Sequence, residues 1–204
     1  MIKLLVKPPK KINLAFSGGV DSLAVAHFLK RGKFDVTLLH FNHGCEYSAD
    51  IQRQIYHRNQ ELKLPLKVGY IQDYGEERAK GQSLEDYWRR ARYSFLRSFD
   101  DPFITCHHLD DAVETWIWSS LHGESKLIPV SDDKVIRPFL TTEKDDFIHY
   151  AKRNNLVAVD DPYNDDKSLT RNYIRANIMH HAYFVNPGLK KVIRKKYLKG
   201  IDNG

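Results

Sequence analysis

The sequence predicts an α/β fold: a doubly wound, mostly parallel five-stranded sheet with helices on both faces, continued by a basic helical C-terminal segment. Short apolar runs alternate with segments of helical period, which implies βαβ units, parallel pairing and right-handed crossovers. Glycines and polar residues cluster just after the apolar runs, where ligands of such sheets sit, beyond the carboxyl ends of the strands. The last segment is set apart by charge. Nine Lys and Arg and no Asp or Glu lie between Lys167 and Lys199; with a whole-chain net charge of +6, the remainder sums to −3. A basic arm on a slightly acidic body suits a polyanionic partner, or serves solubility as a solvated tail.

Met1 to Lys10 is a short basic lead-in containing Pro8-Pro9. Lys11 to Phe16 is a first buried strand, and Val20 to Lys30 carries apolar residues at helical spacing. Asp35 to Phe41 is a second strand. Ser48 and Asp50 start a long helix that runs to Leu64, where Pro65 stops it. Leu66 to Ile71 is a third strand, and the polar stretch Gln72 to Gln82 a mobile loop. Ser83 caps a helix from Leu84 to Ser98, with Asp86 at capping-box spacing. Phe103 to Cys106 is the fourth strand, and Leu109 to Leu121 a helix carrying Trp116 and Trp118. Gly123 to Lys134 is irregular, and Val135 to Phe139 is a short fifth strand. Thr142 caps a helix that reaches Asn154. Leu156 to Asn164 is extended or looped, Leu169 to His181 helical, and Pro187 to Lys199 a final basic helix.

A chain of 204 residues, 42% hydrophobic and 28% charged, is long enough for a real core and has the composition of a soluble globular protein. Cys45 and Cys106, its two cysteines, stand in no C-x-x-C spacing and predict no disulfide framework. No apolar run reaches membrane-spanning length and no signal-peptide core opens the chain. The expected location is therefore cytoplasmic (the host cytoplasm, were the chain viral), with no membrane partner.

The segments after the strands carry the chemistry. The first is Ser17-Gly18-Gly19-Val20-Asp21-Ser22, at a strand-to-helix turn. Adjacent glycines let the backbone approach a ligand closely, and the following helix points unpaired N–H groups and its positive dipole end at an anion. Ser17 and Ser22 add hydroxyls. A carboxylate such as Asp21 repels a bare polyphosphate, so its presence implies Mg²⁺ between them. The spacing is neither a Walker loop nor a dinucleotide turn. His40-Phe41-Asn42-His43-Gly44 follows the second strand and serves adenine or ribose, or merely caps the next helix. Glu85, Arg89 and Arg92 share one helix face, as an i, i+4 ion pair or as an arginine row facing phosphate. His107-His108-Leu109-Asp110-Asp111, with Glu114, follows the fourth strand; its carboxylates suit Mg²⁺–ATP, an incoming amine, or helix capping.

Together these segments resemble the tRNA(Ile)-lysidine synthetases, a family of the N-type ATP pyrophosphatases with an adenine nucleotide α-hydrolase-like fold. The matching stretches are Ser17 to Ser22, His40 to Gly44, Ser48-Ala49-Asp50, Glu85 with Arg89 and Arg92-Tyr93, and His107-His108-x-Asp110-Asp111 with Glu114-Thr115. They continue through Arg137-Pro138-Phe139-Leu140 to Asp161-x-x-Asn164 and Arg171-Asn172-Tyr173-Ile174-Arg175. Ala112 departs from the family's usual Gln, and His122-Gly123-Glu124-Ser125 replaces an Arg-Gly-Ser-Gly-like loop. The chain also stops near the end of the family's catalytic domain.

The resemblance implies a reaction: the wobble cytidine of tRNA(Ile) with anticodon CAU is adenylated with release of pyrophosphate, and free L-lysine then displaces AMP to give lysidine. It implies ATP and Mg²⁺ as cofactors, residues 1–166 as an ATP-binding catalytic domain, and 167–204 as a basic helical segment. Ser17, Gly18, Gly19, Val20, Asp21 and Ser22 would hold the phosphates, with His40, Asn42, His43 and His107 completing the ATP site. Asp21 and Asp111 would hold Mg²⁺, and Arg92 or Arg137 would stabilise phosphoryl charge. One carboxylate among Asp110, Asp111 and Glu114 would bind the lysine ammonium and accept its proton. Arg171, Asn172, Arg175, Lys190, Lys191, Arg194 and Lys195 would contact tRNA. Two alternatives stay open: an ATP- and tRNA-binding protein with altered catalysis, and a tRNA thiolase of the same superfamily, for which the cysteine spacing is wrong.

Overall fold

The computed structural model describes residues 1–159 and 170–202 of the chain. Asp161, Asn164, Lys167 and the expected domain boundary at 166/167 lie outside the described residues.

β1 (Lys11–Ala15) is the centre of the molecule. Its apolar run is buried on both faces, as a central parallel strand requires. α1 (Val20–Arg31) returns the chain to β2 (Asp35–Asn42), and α2 (Ser48–Leu62) leads to β3 (Leu66–Tyr70). Then the winding reverses. α3 (Ile71–Tyr74) and α4 (Leu84–Arg97) carry the chain to β4 (Phe103–Ile104) on the other side of β1. α5 (Leu109–Leu121), β5 (Ser131–Asp132), β6 (Val135–Ile136) and α6 (Lys144–Arg153) follow. The strand order is β3-β2-β1-β4-β6-β5, parallel except where β5 meets β6.

Alternation along β2 sends Val36 and Leu38 to one face, and Leu39 and Phe41 to the other. The first face packs on α1, α2 and α6 through Leu23, Val25, Ile55 and Phe147; the second packs on α4 through Ala91, Phe95 and Leu96. The sheet is thus covered on both sides, as expected. After the undescribed stretch come α7 (Thr170–Tyr173), a π-helical turn (Ile174–Ile178), α8 (Met179–Val185) and α9 (Leu189–Asp202). Leu189, Ile193 and Tyr197 of α9 bury against α5 residues Leu109, Val113 and Ile117. The basic helix is therefore packed on the body rather than free of it.

Several boundaries differ from expectation. The sheet has six strands, because Ser131–Asp132 pairs antiparallel with β6 inside the stretch expected to be irregular. Two exposed polar residues carry no periodic signal to find. α2 stops at Leu62, with Lys63 in the left-handed region (φ 50°) before Pro65. Ile71 opens a helical turn instead of ending a strand. Ser83 does cap α4, accepting the Asp86 N–H at 3.1 Å. Thr142 does not cap α6: its hydroxyl accepts from Lys3 N–H (3.1 Å) and donates to the Lys3 carbonyl (2.9 Å), tying down the N-terminal segment. Glu143 takes the cap position instead.

Candidate active site

Because β2 and β4 flank β1 and are reached in opposite directions, a crevice opens at the carboxyl ends of β1 and β4. Three helices begin there: α1 after Gly19, α5 after His108 and α6 after Glu143. Their N-termini converge on a cleft of about 810 Å³ lined by Ser17, Gly19, Val20, Asp21, His108, Asp110, Asp111, Glu114 and Lys144. Arg175, Met179, His180 and Tyr183 close the opposite wall.

The glycine loop is built for this position. Gly18 sits at φ +80°, and a Cβ there would lie 2.9 Å from both Ile55 and Val159. Its carbonyl accepts the Val159 N–H at 3.0 Å, which pins the loop from below. Gly19 caps α1 with no side chain over the first turn, so that turn's N–H groups are available to an anion. The Ser22 hydroxyl donates to the Gly19 carbonyl (3.1 Å) and lies 3.2 Å from the Ser17 hydroxyl.

Each carboxylate in the cleft already has a cation. Asp21 Oδ2 receives Lys144 Nζ at 2.6 Å, with His108 Nε2 3.9 Å away. Asp110 accepts the Lys144 backbone N–H (2.9 Å) and pairs with Lys190 Nζ (2.5 Å). Asp111 closes a capping box: its Oδ2 accepts the His108 N–H at 2.9 Å while its own N–H donates to His108 Nδ1 at 3.3 Å. Its other oxygen faces Arg175 at 3.3 Å. Burial opposes ionisation of Asp111, but His108, His107, the His108 N–H and Arg175 outweigh it and hold the pKa below the ordinary value. Glu114 is 1% exposed and bonded by Arg175 Nε, with Arg171 at 3.6 Å. Burial raises its pKa despite those two guanidinium groups.

Of the expected residues, the structure gathers Ser17, Gly19, Val20, Asp21, Asp110, Asp111, Glu114 and Arg175 around one cleft. It does not bring His40, Asn42, His43 or His107 into that lining. His40 is buried and donates Nδ1–H to the Phe16 carbonyl at 3.1 Å, bracing the strand end. Asn42 bonds Gln52 (2.6 Å), and its side-chain oxygen accepts the Gly44 N–H (2.9 Å), so it shapes the turn. His43 packs between Phe41 and Trp88, where burial drops its pKa to about 3. His107 bonds the Thr105 hydroxyl at 2.7 Å and is likewise lowered to about 3 by burial. The Glu85–Arg89 ion pair does not form among the described residues: Arg89 and Arg92 lie over the Tyr93 ring at 4.8 and 5.7 Å instead. Arg137 lines a second cleft, beside α4, and donates to the Pro129 carbonyl at 3.0 Å.

The basic segment divides. Lys190 and Arg194 are committed to Asp110 and Glu143, whereas Lys191 and Lys195 are exposed. Sequence reasoning overlooked Lys144 and Tyr183, and quoted His108 in its motif without giving it a role. The burial period of Leu189, Ile193 and Tyr197 would have shown that Lys190 and Arg194, one residue further on, flank an apolar seam.

Among the described residues no three His, Cys, Asp or Glu side chains are grouped to hold a metal unaided. Asp21 Oδ1, however, is buried with no hydrogen-bond partner. One orphaned carboxylate oxygen beside a phosphate cradle suits Mg²⁺, which takes one or two protein carboxylates and completes its shell with phosphates and water.

A parallel α/β domain whose glycine loop and converging helix N-termini form an anion cradle is the class this geometry defines. The chain belongs to the PP-loop domain family, whose pattern matches residues 2–182. It is similar to the tRNA(Ile)-lysidine synthase of Vibrio cholerae, 31% identical over 187 residues, covering 84% of this chain and 42% of that protein. The synthase of Persephonella marina is 30% identical over 217 residues, covering 98% and 47%. The chain thus spans less than half the length of these curated relatives. Among solved structures, a tRNA thiolase from Methanococcus maripaludis bearing an iron–sulfur cluster superposes with TM-score 0.73 at 18% identity, covering 96% of this chain and 74% of that one. An NMN synthetase from Francisella tularensis gives 0.53 at 12%. These likenesses establish the fold alone. No helix of the described residues is long and apolar enough to cross a membrane.

Proposed function

We propose that this chain modifies tRNA(Ile) with anticodon CAU, adenylating the wobble cytidine with ATP and replacing AMP by free L-lysine to form lysidine. The observation that carries the reading is a cleft in which the glycine loop, with Asp21, faces Asp110, Asp111 and Glu114. The similarity to lysidine synthases supports this reaction among those open to a PP-loop fold. Residues 1–166 act as the catalytic domain and 167–204 as a basic segment, and the work is done in the cytoplasm.

In the adenylation, the base carbonyl oxygen attacks the α-phosphorus and pyrophosphate leaves. The α1 N–H groups, with Ser17 and Ser22, hold the departing charge. Lys144 brings a further positive charge to the same place. Asp21, through its orphaned Oδ1, and Asp111 would hold Mg²⁺, which would supply charge neutralisation on the phosphates. In the second step the ε-amine of lysine attacks the activated base carbon and AMP leaves. The amine must shed a proton, since its free pKa is about 10.4. Asp110, bonded to Lys190, and Asp111, held ionised by its neighbours, are poor acceptors. Glu114 accepts that proton: burial raises its pKa and its Oε1 has no hydrogen-bond partner. Lys191 and Lys195 contact the tRNA backbone.

A thiolase reading is disfavoured, because two free cysteines, Cys45 and Cys106, cannot supply the thiolate set of an iron–sulfur cluster. The test is pyrophosphate release from Mg-ATP together with incorporation of radiolabelled lysine into unmodified tRNA(Ile) with anticodon CAU, against initiator tRNA(Met). Lysine entering only the first is expected. ATP binding with neither pyrophosphate nor incorporation refutes the proposal.

A further inference from the structure

α5 presents one stripe whose C-terminal half the proposed chemistry leaves unused. Asp111, Thr115, Trp118 and His122 follow at intervals of four, three and four residues, so they line a single helix face. Asp111 belongs to the cleft, where Arg175 meets it at 3.3 Å; one turn on, Arg171 donates to the Thr115 hydroxyl at 3.5 Å. About two turns beyond Asp111, roughly 10 Å along the axis, Trp118 is 38% exposed. Its ring lies against that of His122, centroids 4.7 Å apart and planes inclined by 38°. The imidazole is oriented by its own bond, His122 Nδ1–H donating to the Trp118 backbone carbonyl at 2.7 Å, and Gly123 follows at φ +82°.

We propose that the Trp118–His122 pair is a stacking platform for an unpaired nucleobase of the RNA whose neighbouring base reacts in the cleft. This rests on the reading that the chain acts on tRNA. An indole face left in water buries no apolar surface, yet here it lies beside a second ring. Every nucleobase offers a complementary π face. Between platform and cleft stands Arg171, its side chain 35% exposed and held by Glu114 only at 3.6 Å. That guanidinium is placed for the phosphate linking the stacked nucleotide to the reacting one. The patch, one indole and one imidazole beside an arginine with Leu121 (67% exposed) on the next turn, is small against the broad apolar core of a protein interface. Trp118 stands about two turns of helix, roughly 10 Å, from Asp111 in the cleft, so the occupant is a flanking nucleotide of the anticodon loop, not the modified base.

The probe is the anticodon stem-loop of the CAU tRNA(Ile), followed by anisotropy and by tryptophan fluorescence, with ATP affinity measured in parallel. Wild-type protein should show quenching on binding. Trp118→Phe should keep the affinity but lose the quench, which assigns it to Trp118 rather than Trp88 or Trp116. Trp118→Ala should weaken RNA binding about 10-fold, with ATP affinity unchanged. Unchanged RNA affinity in Trp118→Ala overturns the platform and leaves the enzymatic reading standing. Equal affinity and quench with a fully paired duplex also overturn it, since stacking needs an open base. A wild-type chain that binds ATP but no stem-loop defeats both readings.

Discussion

Arg175→Met is the perturbation from which most can be learned. Glu114 is 1% exposed, whereas the Arg175 side chain that bonds it is 47% exposed. Losing one partner of a buried pair typically costs about 3–5 kcal/mol. Two features reduce this here: solvent screens the half-exposed guanidinium, and Arg171 remains 3.6 Å from Glu114. A loss of about 2 kcal/mol is expected, near the value of one hydrogen bond to a buried charge. The cost should depend on pH. Burial already raises the Glu114 pKa against the pull of Arg175, and removing Arg175 raises it further. Above about pH 4.3 the unfolded chain has lost a proton that the folded variant retains, so its stability falls as pH rises through that window. Urea unfolding should therefore show a larger penalty at pH 8 than at pH 5. The double variant Arg175→Met/Glu114→Gln should recover most of it. A penalty below about 0.5 kcal/mol, equal at both pH values, would refute the reasoning behind that 2 kcal/mol.

Gly18→Ala should cost about 2 kcal/mol in urea unfolding and abolish ATP binding, because φ +80° is strained for alanine and its Cβ meets Ile55 and Val159 at 2.9 Å; a variant with wild-type ATP affinity would remove the loop from the site. Lys144→Met should weaken ATP binding by about 10-fold or more, as expected for a lost charge-assisted hydrogen bond, while Lys144→Arg retains part of it; calorimetric titration decides. His43 and His107, each lowered to about 3, stay neutral when folded, but the unfolded chain takes up protons below about pH 6.5. Their stabilisation is complete above that pH and is lost as pH falls, by up to about 1.4 kcal/mol per unit for each histidine. A urea midpoint unchanged between pH 7.5 and 5 would contradict this, and His43→Asn should flatten the slope.

The centre of the site was legible because three local signals coincide there. An apolar run, a Gly-Gly pair and a helical period meet within residues 11–29, and each constrains the same few positions. The acidic start of α5 was legible for a similar reason, since carboxylates in a first helical turn mark its end. What local pattern cannot carry is the partner of each charge. Glu143-Lys144-Asp145 is an unremarkable charged triplet, and only the packing of α6 against α1 brings Lys144 to Asp21. The same limit misplaced Arg137, which follows β6 as the site rule suggests but turns towards α4, and the His40–His43 cluster, whose polar groups brace the strand end.

The pairings found in the cleft also bear on how it works. Asp21 holds Lys144, Asp110 holds Lys190, and Arg175 joins Asp111 to Glu114. The cleft is therefore close to neutral before any ligand arrives. A polyphosphate adds negative charge to a space that already contains four carboxylates. It is accommodated only if cations already present change partner or further cations enter with it. Lys144 is the cation able to move, because its ammonium sits on a flexible stem with 36% of the side chain exposed. Lys190 is fixed by a second carboxylate, Glu143, and through α9 by the burial of Leu189 and Ile193. The division gives the two lysines different work: Lys190 holds the wall in shape, and Lys144 follows the charge. The corresponding variants should separate on that basis, with Lys190→Met lowering the unfolding midpoint and Lys144→Met lowering affinity for ATP at an unchanged midpoint.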